Sequence, residues 1–292
     1  MTSLPSRFLA ITSLVLLAST ATSSAQTPAP KLEFPAASPP ATLKQRVGLT
    51  DIEINYSRPG VKGRLIFGGL EPWGEVWRAG ANTATRITFS TAVKLNGHEV
   101  PAGTYGLFAQ IGEREWTIIL NKVPNQWGAY AYDKKDDVLR VPATPIKLAD
   151  PVETFTIDIN DIRDESATLN LIWEKTRVPV KIEVDVVATL QPQIEAVMAS
   201  NAEKKPYFAA AMFYLDHNLD LKKAAEWMDV VIAAQPDAFY LTYRKAKILA
   251  KMGDKQGALA AAKASLALAS KASGAINDEY TRLNKELIAG LK

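Results

Sequence analysis

From Val47 to Val187, apolar residues recur at every second position. Ile52, Ile54 and Tyr56 alternate with polar neighbours in DIEINYS. Ile87 and Phe89, then Val93 and Leu95, continue the alternation, as do Phe155, Ile157 and Ile159, and Leu169, Leu171 and Trp173. A period of two places one set of side chains on one face of a strand. Asn96-Gly97 marks a tight hairpin, because a type I′ turn needs positive φ at both positions. Gly112-Glu113-Arg114 marks a second hairpin, between GTYGLFA and EWTIILN. DVLRV, ETFTIDI, ATLNLIWE and VPVKIEVDVV complete a set of about eight or nine short strands. The expectation is an antiparallel β-sandwich or jelly-roll-like domain over residues 42–189. No helical crossovers are visible, which argues against a parallel sheet.

The pattern changes after Leu190. β-Branched residues thin out and alanine dominates. Residues 190–292 read as amphipathic helices, in two segments that align at an offset of 34: Asp220 on Asp254, Ala224 on Ala258, Leu215 on Leu249. Small residues at helix crossings, a polar turn and Pro236 closing the first unit resemble tetratricopeptide repeats. The units span about 203–236 and 237–270, with a capping helix at about 275–291. Each such unit buries its face only against a neighbour, so the helices are expected to pack on the β domain or on another chain. The predicted fold class is α+β multidomain.

The N-terminus changes the compartment. Arg7 precedes an apolar run from Phe8 to about Ala18, and small residues follow to Ala25. This is the form of a cleavable secretory signal over 1–25. The run is shorter than the ~20 residues a bilayer span needs, so no transmembrane segment is expected after cleavage; an uncleaved anchor is the alternative. Residues 26–41, rich in Pro and Ala, read as a linker. The chain has no cysteine, which excludes disulfides, thiol catalysis, cysteine-ligated zinc and a lipoprotein anchor. A bacterial periplasmic or secreted location follows. The formal net charge is +3, and no basic run exceeds two residues, so no nucleic-acid partner is expected.

The catalytic inventory is thin. Only two histidines exist, His98 in a hairpin and His217 at a helix end, and they fall in different predicted domains. Both read as surface residues, which removes the usual acid–base agent. Asp158, Asp161 and Asp164 lack the glycine and terminal glutamate of a calcium loop and read as turn residues. No nucleophile elbow or phosphate-cradling glycine loop is present. No cofactor and no metal are implied.

The β region resembles the domain of unknown function family 2911. The resemblance rests on ASPPATLKQRVGLTDIEINYSRPGVKGR, IFGGLEPWGEVWRAGANTATRITFS, VPAGTYGLFA, EWTIILNK, QWGAYAY and DVLRV, in the family's order from about Ala37 to Val187. It implies an exported protein, often with a helical repeat tail, and no particular activity. The family's GAN motif is commonly followed by an acidic residue; here that residue is Thr83.

What remains is a set of cationic and aromatic loop residues. YSRPGVKGR supplies Arg58, Lys62 and Arg64; WGEVWRAGAN supplies Trp73, Trp77, Arg78 and Asn82; QWGAYAY supplies Trp127, Tyr130 and Tyr132. If the loops meet, they form an aromatic floor with cationic forks, suited to a sugar ring or to a bidentate carboxylate or phosphate. The competing reading is structural: tryptophans as packing residues, and arginines tying loop carbonyls. The leading functional expectation is a non-enzymatic binding or scaffolding protein. Its β domain would recognise a glycan or anionic ligand, and its helical repeats a protein partner. The alternative is an envelope carbohydrate hydrolase using loop carboxylates such as Glu71, Glu75 or Asp137.

Overall fold

The computed structural model describes residues 32–271 and 273–291. The segment read as a signal, 1–25, and the first part of the segment read as a linker therefore lie outside the described residues. Antiparallel strands from Pro40 to Val184 precede six helices. The larger sheet runs β1 (Pro40–Val47), β2 (Thr50–Ser57), β4 (Thr85–Phe89), β7 (Gly103–Gln110), β8 (Trp116–Asn121) and β9 (Asp137–Ala143). The two-residue β3 (Val76–Trp77) pairs with β7. The second sheet runs β10 (Ile146–Asn160), β11 (Ser166–Val184), β5 (Val93–Leu95) and β6 (His98–Val100).

The two sheets share one apolar core, as a sandwich would. Ile52, Ile54, Ile87 and Leu107 of the first meet Phe155, Ile157, Leu171 and Trp173 of the second. Each set follows the period-two alternation, so the outward faces keep Glu53, Asn55, Arg86 and Thr88. At the centre, Trp77 stacks on Trp173 with ring centroids 5.8 Å apart. Phe67, Trp116 and Phe155 surround the pair edge-on. The Asn96-Gly97 hairpin forms with φ of 46° and 82°, as its sequence demands.

Three boundaries depart from the sequence reading. A strand, β1, already begins at Pro40, within the segment read as linker. ATLNLIWE and VPVKIEVDVV form one strand, β11. The inward set shifts from Leu169, Leu171 and Trp173 to Val178, Val180 and Ile182, so the parity changes along it. Glu174, at φ 51°, stands where the pairing with β10 slips. The extra residues of the slip lie on β10, and the left-handed backbone at Glu174 marks where the faces of β11 turn over. Finally, β11 stops at Val184 and α1 (Val186–Ala199) starts before Leu190. Asp185 caps it by accepting from Ala188 N at 2.7 Å, an N-terminal signal stronger than the β-branched Val186-Val187 pair.

The remaining helices are α2 (Tyr207–Asp216), α3 (Leu221–Ala234), α4 (Phe239–Met252), α5 (Lys255–Ala269) and α6 (Ala275–Gly290). Asp220 and Asp254, the residues aligned by the 34-residue offset, occupy equivalent places. Each caps the second helix of a hairpin through its carboxylate. The helices hold their own core around Tyr214, Met228, Leu241 and Ile248. At the junction Val186 packs on the β core, and His217 Nδ1 lies 3.6 Å from Glu165.

Candidate functional site

The predicted residues separate into those whose hydrogen-bonding capacity is used by the fold and those whose capacity is not. Arg58 donates from Nε to Phe155 O (3.0 Å) and from Nη2 to Thr156 Oγ1 (2.7 Å), joining the end of β2 to β10. Arg64 donates to Val61 O and Gly60 O, at 3.0 and 2.6 Å, closing its own turn. Lys62, in that turn at φ 49°, has an exposed ammonium that reaches Ala37 O at 3.4 Å. Trp73 lays its indole over Gly68, where a Cβ would collide with it.

Trp77 is corrected from loop aromatic to core residue. It is 2% exposed, and its Nε1–H is given to Gly80 O at 3.1 Å. Two residues of β3 suffice to turn it inward. Arg78 ties no carbonyl with its side chain, and its buried Nε has no partner among the described residues. Near it, burial pushes the Glu71 carboxyl up to about 7, against the opposing pull of Arg78 and Arg64.

The second and third loops do converge. Gly128 N donates to Asn82 O at 2.9 Å, and Ala84 N to Gln126 O at 2.9 Å. Thr83 and Trp127 form a bridge between them. Asn82 Nδ2 also reaches Ser57 Oγ at 3.3 Å, which brings in the end of β2. Tyr130 is exposed, and its ring lies over Gly128 at the edge of this junction without lining the groove described below. Tyr132 points elsewhere. It packs on Phe108, donates to Asp137 Oδ2 at 2.6 Å and accepts from Arg140 Nη1 at 2.8 Å. Burial, then its bond to Asp137, push its hydroxyl up to about 12. Asp137 is thus held in a structural cluster, and Glu75 is exposed.

Where these loops cross the outer face of the larger sheet, a groove of about 430 Å³ opens. Its floor is β2 and β4, with Asn55 opposite Arg86 in register. Its wall is Pro124–Trp127. Gly106, opposite Arg86 on the other side, makes this wall possible: a Cβ there would come within 2.8 Å of Phe108 Cε2 and 3.1 Å of Val123 O. The loop therefore lies flat on the sheet beside Arg86. Asn121, fully buried, holds the loop's start by accepting from Val123 N at 3.0 Å and donating to Asp133 O at 3.1 Å.

Arg86, Asn55 and Gln126 were not singled out by sequence. Arg86 looks like the ordinary polar member of an alternating strand, and only the loop laid beside it makes it a groove residue. It makes no side-chain hydrogen bond or ion pair among the described residues. Gln126 is 7% exposed; its Nε2 donates to Val123 O at 2.8 Å, while its buried Oε1 has no partner. Trp127 is 65% exposed.

A family model described as "Protein of unknown function (DUF2911)" matches residues 38–182. The β region belongs to that family. The match takes in the groove's floor and wall and both core tryptophans of the stacked pair, and it ends before α1. Neither the curated proteins nor the solved structures hold a match to this chain. No helix among the described residues is long and apolar enough to cross a membrane.

Proposed function

We propose that the chain is an exported bacterial binding protein, periplasmic or secreted, with a non-enzymatic role. Its family region takes a glycan or anionic ligand in the groove between Arg86 and Trp127, and its helical hairpins receive a protein partner. One observation carries the ligand reading: an arginine without an internal partner stands beside an exposed tryptophan in a walled groove. A guanidinium at such a place has its donors to give to a ligand. Of the residues first singled out, Trp127 lines the groove and remains a ligand candidate there; Asn82 stays at the loop junction beside it, its amide given to Ser38 O and Ser57 Oγ. Arg58, Arg64 and Tyr132 are better accounted for as ties, and Trp77 as core.

The test is a fluorescence titration of the protein against panels of glycans and small anions, with Arg86→Ala and Trp127→Ala alongside. Binding lost in both variants, with unchanged unfolding curves, supports the reading; binding that ignores both substitutions overturns it. Fractionation of expressing cells tests the exported location. The alternative reading, a carbohydrate hydrolase, is left with Glu71 as its candidate carboxyl, raised to about 7 by burial and without a second carboxylate paired to it. Release of reducing ends from an oligosaccharide panel, lost in Glu71→Gln, would favour it.

A further inference from the structure

The groove's three unspent groups define a ligand more narrowly. This inference rests on the binding role proposed above. Arg86, on the floor, makes no ion pair or side-chain hydrogen bond among the described residues, and only the nearby Glu53 carboxylate feels its charge, so its guanidinium has donors to offer an anion. Gln126 Oε1, in the wall, is a buried acceptor that lacks a donor. A buried acceptor left without a donor is costly, and a small turn of the Gln126 side chain toward the groove it lines would let a ligand hydroxyl or amide N–H relieve it. Trp127 offers an exposed indole, a surface suited to the C–H face of a ring. Thr83, also lining the groove, brings no charge that would neutralise Arg86.

We infer that the groove's ligand is an acidic sugar: a pyranose whose carboxylate meets Arg86, whose hydroxyl donates to Gln126 Oε1, and whose ring lies on Trp127. A bare phosphate would satisfy Arg86 but leave Gln126 and Trp127 unused. A neutral sugar would satisfy those two and leave the guanidinium unanswered. The volume, about 430 Å³, accommodates one or two sugar rings and is open at the sides, so the acid can be free or part of a chain.

The experiment is calorimetric titration of the mature protein with glucuronic acid, glucose, a trigalacturonide and inorganic phosphate. Glucuronic acid or the trimer should bind at least tenfold tighter than glucose, and phosphate should bind more weakly than either acid. Preference for the trimer would identify a polysaccharide source, and equal affinity a free sugar. Arg86→Gln should remove the acid preference while leaving the affinity for glucose. Thr83→Glu, which puts a like charge in the groove, should abolish acid binding without affecting folding. Equal binding of glucose and glucuronic acid overturns the acidic class but keeps a glycan groove. Phosphate binding as tightly as the acids overturns the sugar. No binding by any of the four probes overturns both this inference and the groove as the site.

Discussion

Glu71→Gln gives the sharpest test of the electrostatics beside Arg78. Burial moves the Glu71 carboxyl from its ordinary 4.5 to about 7, and Arg78 and Arg64 only partly restrain it. The folded state therefore keeps this proton at a pH where the unfolded chain has released it. Folding stability must then fall as pH rises from about 4.5 to about 7, because over that range the native state binds more protons. At 1.36 kcal/mol per unit, the full shift corresponds to roughly 3 kcal/mol. The carboxyl is only partly covered, so solvent screening reduces this to roughly 1–2 kcal/mol. Glutamine keeps the shape and has no proton to lose. Urea unfolding at pH 5 and pH 8, followed by tryptophan fluorescence, should show the wild type losing that amount more than the variant. Arg78→Gln should steepen the wild-type dependence, since it removes the larger of the two opposing charges. Parallel pH profiles for wild type and Glu71→Gln would refute the assignment.

Two further outcomes follow from the packing. Trp77→Ala, which empties the centre of the aromatic cluster and strands Gly80 O, should cost about 3–5 kcal/mol in urea unfolding. Asp137→Ala should cost about 3 kcal/mol, because it leaves Arg140 Nη1 and Asn121 Nδ2 without their carboxylate. Loosening that end of the 122–136 loop should also weaken ligand binding in the groove, measured by the same titration.

The strand faces were legible because burial follows a local rule, and Ile52, Ile54, Phe155 and Trp173 obey it. The Asn96-Gly97 hairpin and the Asp220 and Asp254 caps were legible for the same reason: each is fixed by one or two residues. What escaped depends on partners remote in sequence. The turnover of faces at Glu174 split one strand into two apparent ones. Val186-Val187 carried a strand signal into a helix that Asp185 starts. Trp77 sits among glycines, and its burial is decided by Trp173, nearly a hundred residues away.

The same distinction governs the site. Residue type picked out Arg58, Arg64, Arg78 and not Arg86, because all four look alike in sequence and the first three lie in distinctive motifs. The fold separates them by what their donors already hold. Arg58 and Arg64 give theirs to backbone and hydroxyl oxygens, so removing either should damage the scaffold before it touches a ligand. Arg78 is partly buried near the Glu71 carboxyl and does not line this groove. Of the four, Arg86 is the one that lines this groove, with no ion pair among the described residues, only the Glu53 carboxylate near enough to feel its charge, and an acceptor that lacks a donor in the same wall. A guanidinium in that position costs the folded protein some desolvation and returns no internal bond. The ligand recognition proposed above would use Arg86, Gln126 and Trp127 together.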